Sequence, residues 1–155
     1  MKTILLLVLL VSCSSKPQKT YTESMPSEKV VELMVSVKSE MESHPGFNRI
    51  KKRFGFAKIY VANIQVKTSK SLPSAHLTQE IQNTMPRDFE YVPERIRSVI
   101  NENASYDVDG MVDEETLNLI NKKSAPDVVI YGYITDGDSE QGSVYYLHLF
   151  AMGLS

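Results

Sequence analysis

One thiol, three imidazoles and a scatter of serines are the groups in this 155-residue chain that could do covalent or metal chemistry, and their spacing excludes most of it. Cys13 is the only cysteine, so it has no partner for an intramolecular disulfide or a thiolate metal site. His44, His76 and His148 fall in different predicted elements, with no metal-like spacing. No serine lies in a Gly-x-Ser-x-Gly turn, the elbow that exposes a nucleophile at the head of a helix. Ser105-x-Asp107-x-Asp109-Gly110 has the rhythm of a calcium loop, but serine holds the first position and Thr116 the twelfth. The bidentate carboxylate such a loop requires is therefore missing, and the segment reads as a polar turn ahead of a capped helix. The expectation is a chain that is not an enzyme and needs no metal and no cofactor.

Cys13 gains a role from what precedes it. Met1–Lys2–Thr3 supplies one positive charge, Ile4 to Val11 is wholly apolar, and Ser12–Cys13–Ser14–Ser15 follows. A basic start, an apolar core and a small residue are the parts of a secretory signal peptide. The apolar run is far shorter than the roughly 20 residues a membrane-spanning helix needs. Leu10–Val11–Ser12–Cys13 resembles the lipobox of bacterial lipoproteins. That resemblance implies cleavage before Cys13 and acylation (palmitate) of its thiol and new amino terminus, giving a membrane contact through an N-terminal lipid. Ser14 is not the aspartate associated with inner-membrane retention, so the outer membrane is favoured, facing the periplasm, with the inner membrane and the cell surface as alternatives.

The chain then divides into a signal peptide (1–12), a lipidated start and tether (13–26) and one folded domain (27–155). Ser14 to Pro26 lacks apolar periodicity and reads as a flexible tether, reaching at most ~45 Å when fully extended. A formal net charge of −2 gives no basic excess, which argues against a nucleic-acid partner.

The elements follow from periodicity. Ser27 caps a helix whose stripe is Val30, Leu33, Met34, Val37 and Met41, ended by His44–Pro45–Gly46. Asn48 to Phe54 is basic, a surface for anionic lipid head groups or an acidic partner, or simply a solvated face. Ile59 to Ile64, apolar on both faces, predicts a central strand. Pro73–Ser74 opens a helix carrying Leu77, Ile81 and Met85, Phe89 to Val92 is a short strand, and Pro93 begins a helix with the stripe Ile96, Val99 and Ile100. Asp113 caps a helix with Leu117 and Ile120 inward, and Val128–Ile134 forms a hairpin with Val144–Met152. Tyr131, Tyr133, Tyr145 and Tyr146 fall on that hairpin as cross-strand packing. The order α-β-α-β-α-α-β-β predicts an α/β fold: one small domain with a mixed sheet flanked by helices.

Several segments in order resemble the LpoB family of outer-membrane lipoproteins. Ile59 to Ser69 resembles its strand and Asn-x-Thr-Ser-like loop, with Lys67–Thr68–Ser69 in the loop's place. Leu77 to Ile81 is similar to the helix that follows, and Asp109–Gly110 to Thr116 and Ala125 to Ile134 match later segments, the last an Ala-Asp-(apolar)-Gly-x-Ile strand. The resemblance covers Val30 to Met152. It implies a non-catalytic activator that binds a penicillin-binding protein in peptidoglycan synthesis. Two features depart from the family: there is no Gly-Glu-Ile-x-Trp-like segment after the last strand, and the tether is short. A structural lipoprotein of a surface machine, FlgO-like or CsgG-like, is the alternative. Recognition loops sit on rigid scaffolds, which makes Lys67, Thr68, Ser69 and Lys70 the expected partner-binding residues.

Overall fold

The computed structural model describes residues 4–5, 11–14, 27–69, 72, 74–107, 110–139 and 142–154. The helices are α1 (Ser27–Ser43), α2 (Pro45–Phe54), α3 (Ser74–Thr84), α4 (Glu94–Asn101) and α5 (Glu114–Ser124). The strands are β1 (Ile4–Leu5), β2 (Val11–Ser14), β3 (Lys58–Val61), β4 (Gln65–Lys67), β5 (Glu90–Tyr91), β6 (Val128–Ser139) and β7 (Gly142–Gly153). The α/β expectation holds, and the sheet is mixed. β3 is parallel to β5 and β6, β4 is parallel to β6, and β6–β7 is an antiparallel hairpin. The sequence fragments β1 and β2 pair antiparallel with the outer edge of β7.

Helices cover both faces. On one, Leu33, Val37 and Met41 of α1, Phe47 and Ile50 of α2, and Leu77 and Ile81 of α3 pack on Ile59, Val61, Val128, Ile130 and Ile134. On the other, Ile100 of α4 and Ile120 of α5 pack on Tyr60, Val129 and Tyr131. The stripes read from periodicity are the buried faces, with one exception: Val99 is 47 % exposed, and α4 turns Ile96, Arg97 and Ile100 inward instead.

Two segments differ from the sequence reading. The basic stretch after His44 is not a lead-in to a strand but the helix α2. His44 caps it, its Nδ1 accepting the Gly46 amide at 3.0 Å, and Pro45 fits the first turn because its missing N–H costs nothing there. Phe47, Ile50 and Phe54, at i, i+3 and i+7, are the stripe that signals it. The run Ile59–Ile64 is also not one strand. β3 ends at Val61 and pairing with β6 resumes at Gln65, one residue out of step: Val61 pairs with Ile130 and Gln65 with Tyr133. Four steps on one side against three on the other is a β-bulge.

Candidate functional site

The bulge decides what β4 presents. Successive strand residues face opposite sides of a sheet, so an unbroken strand from Ile59 would point Lys67 into the α1–α3 core. The extra residue reverses the parity. Val66 turns to the α1–α3 core, where it packs half-buried, and Gln65 and Lys67 take the face of Tyr133 and Thr135.

Both sides of the sheet hold the bulge in place. The Ile64 amide, freed from the ladder, donates to Thr78 Oγ1 at 3.0 Å, and the Ser74 hydroxyl donates to the Ile64 carbonyl. Thr78 is fully buried, and its hydroxyl donates in turn to the Ser74 carbonyl at 2.8 Å. From the α4–α5 side, Asn101 Nδ2 donates to Asn63 Oδ1 at 3.0 Å, while Asn101 Oδ1 accepts from Tyr60 at 3.0 Å and from Tyr106 at 3.3 Å. Gln65 Nε2 donates to the Asn63 carbonyl at 3.1 Å. Burial pushes the Tyr60 and Tyr106 phenols above their ordinary range, so both are neutral donors at any physiological pH.

Beyond the bulge, three side chains form a stack across β4, β6 and β7. Lys67 Nζ lies 4.2 Å from the Tyr133 ring centroid. Tyr133 stacks on His148 at 4.5 Å between centroids. The next rung is Tyr131 on Phe150 at 5.4 Å. Lys67 is exposed and Tyr133, His148 and Phe150 are half-buried, so the stack forms a ridge with a cationic end. Burial, and then the Lys67 ammonium, hold the His148 imidazole below its ordinary value. The neutral ring adds no second positive charge.

The four loop residues expected to bind a partner are placed unevenly. Lys67 is the end of the stack. Thr68 follows it, and Ser69 is tied to β6 by its amide at 3.0 and 3.1 Å from the Asp136 carboxylate and by a hydroxyl donation to the same group. Lys70 lies outside the described residues. Cross-strand packing is what the sequence predicts for Tyr131 and Tyr133, and the structure shows that packing. Sequence did not show that Lys67 joins the stack, because the register shift at Asn63 leaves no signature in composition. Cys13, in β2, is far along the chain from this ridge, its backbone paired with Tyr145.

Two glycines lie against neighbouring backbone beside this stack. Gly110, at φ 76°, sits so close to β6 that a Cβ would lie 2.9 Å from the Gly132 carbonyl oxygen. Gly132 faces β7 with no room at all: a Cβ there would lie 2.0 Å from the His148 carbonyl oxygen. Among the described residues no group of histidine, cysteine and carboxylate side chains could hold a metal ion. The arrangement suits recognition by charge, hydrogen bonds and ring edges.

The family model described as peptidoglycan-synthase activator LpoB matches residues 26–152. No curated protein and no solved structure matches the chain.

Proposed function

The chain belongs to the peptidoglycan-synthase activator LpoB family, and from that premise we propose that it is a cell-envelope lipoprotein that binds a penicillin-binding protein and stimulates it without catalysing a step. The observation that carries the binding reading is the Lys67–Tyr133–His148 stack, aimed outward by the bulge at Asn63. Its cationic end suits a carboxylate on the partner, and the Ser69–Asp136 hydrogen bonds fix the segment that follows it against β6. Recognition through one charged residue on a fixed ridge costs little ordering entropy, since hydrogen bonds and packing already hold the ridge.

The anchor is Cys13, acylated after removal of residues 1–12, and the membrane is the outer one, facing the periplasm. Each buried methylene contributes about 0.8 kcal/mol, so several acyl chains hold the protein where one would not. This cleavage also removes β1 and the first half of β2 from the edge of β7. No helix among the described residues is long and apolar enough to cross a membrane.

Affinity capture tests the reading. The full-length protein retains a penicillin-binding protein from detergent-solubilised envelopes, and Lys67→Glu releases it while the melting curve stays within a few degrees of wild type. Equal capture by both would remove the ridge from the interface. Cys13→Ala abolishes acyl-chain labelling; labelling that persists would disprove the anchor.

A further inference from the structure

We propose that the carboxyl end of α2 seats on an anionic phospholipid surface. Phe56, two residues past the helix, is 87 % exposed, the barest large apolar side chain among the described residues. Gly55, at φ 62°, ends the helix just before it. Arg49, Lys52 and Arg53 stand exposed on α2, while Lys51 is paired with Asp88. The first three also rim a pocket of about 320 Å³ whose apolar wall includes Ile50, Phe54 and Ala151. No carboxylate lines it among the described residues, and the Arg53 guanidinium lies 5.2 Å from the Phe54 ring centroid.

Cations of one sign beside a bare aromatic ring match the two layers of a bilayer surface, phosphate outside and acyl chain beneath. Aromatic side chains settle at that boundary, and basic residues next to it are attracted by anionic head groups. An acidic protein would satisfy the cations but would give Phe56 no such medium by charge alone. The tether strengthens the assignment: residues 14–26 span at most ~45 Å, so a domain anchored at Cys13 stays close to a membrane. That last point alone rests on the lipoprotein reading.

The chain contains no tryptophan, so Phe56→Trp places a single tryptophan, excited selectively beside the tyrosines, at the contact. The full-length protein carries it together with Cys13→Ala, which removes any acyl chain, and is mixed with vesicles of phosphatidylcholine alone or with phosphatidylglycerol added. Blue-shifted emission, quenched by brominated acyl chains, is expected only on the vesicles containing phosphatidylglycerol. Adding Arg49→Glu, Lys52→Glu and Arg53→Glu should lower partitioning by about a hundredfold, each of the three cations near an anionic surface contributing about a fivefold factor. Emission that stays water-like on phosphatidylglycerol overturns the proposal, as does partitioning that ignores the three reversals. If the reversals instead weaken capture of a penicillin-binding protein while emission never shifts, the patch is a protein contact and the proposal fails. Because Cys13 is absent throughout, a failed anchor leaves this result standing, and a failed membrane contact leaves the anchor untouched.

Discussion

The amide of Ile64 donates to Thr78 Oγ1 at 3.0 Å, and through that bond a helix on one face of the sheet fixes what the other face displays. The bond accepts a backbone group that the bulge has taken out of the ladder, inside a site closed to water. Thr78→Val keeps the shape and removes the acceptor. Leaving a buried amide unpaired costs about 1–3 kcal/mol, so the melting temperature should fall by several degrees. Thr78→Ser should restore part of it. Capture of the partner should weaken in Thr78→Val although Lys67 is intact; a variant that melts early and binds normally would mean that the bulge does not set the ridge.

Gly132 should tolerate no side chain. A methyl group there would overlap the His148 carbonyl oxygen on the neighbouring strand, and backbone cannot yield as a flexible side chain can. Gly132→Ala is expected to open the β6–β7 hairpin and cost about 3 kcal/mol or more, at the upper end of overpacking penalties. Gly110→Ala should cost less, about 1–2 kcal/mol for its left-handed backbone, plus the push against Gly132. Denaturant unfolding ranks them, and equal midpoints for both variants and wild type would refute the close approach.

Ile130 is 1 % exposed at the centre of the sheet. Ile130→Ala should lose about 2–5 kcal/mol, a large share of the ~5–15 kcal/mol that holds a domain together. A neutral melt would contradict its central position.

His148 gives the fold a pH dependence with a definite sign. Its folded-state value lies below the ordinary ~6.5 because burial and then the Lys67 ammonium disfavour the charged ring. The unfolded chain therefore binds the proton more readily. The contribution is fully present above pH ~6.5 and is lost as pH falls toward the folded-state value. His148→Phe keeps an aromatic partner for Tyr133 and cannot titrate. The wild-type melting temperature should drop more steeply than that of His148→Phe between about pH 7 and pH 5; parallel slopes would contradict the assignment.

Much of this was legible in the residues. The stripe Leu33, Met34, Val37 and Met41, the cap Asp113, whose carboxylate accepts the Thr116 amide at 2.7 Å, and the hairpin all follow from periodicity and turn chemistry. What escaped was set by tertiary contacts. α2 is short and basic, so its stripe of Phe47, Ile50 and Phe54 is thin beside four basic residues. The bulge lies within an apolar run that reads equally well as one strand, and partners distant in sequence, Thr78, Ser74 and Asn101, hold it there. In sequence Lys67 reads as a loop donor, whereas its place over Tyr133 depends on that register.

The account rests most directly on the effect of this protein on a synthase. The measurement is glycan polymerisation by the purified bifunctional penicillin-binding protein as the full-length wild-type protein or its Lys67→Glu variant is titrated in. The account predicts a saturable rise in rate that levels off near equimolar wild-type protein, and a variant that folds as wild type yet gives little or no rise. A rate unchanged by saturating wild-type protein, with no complex formed, would contradict it.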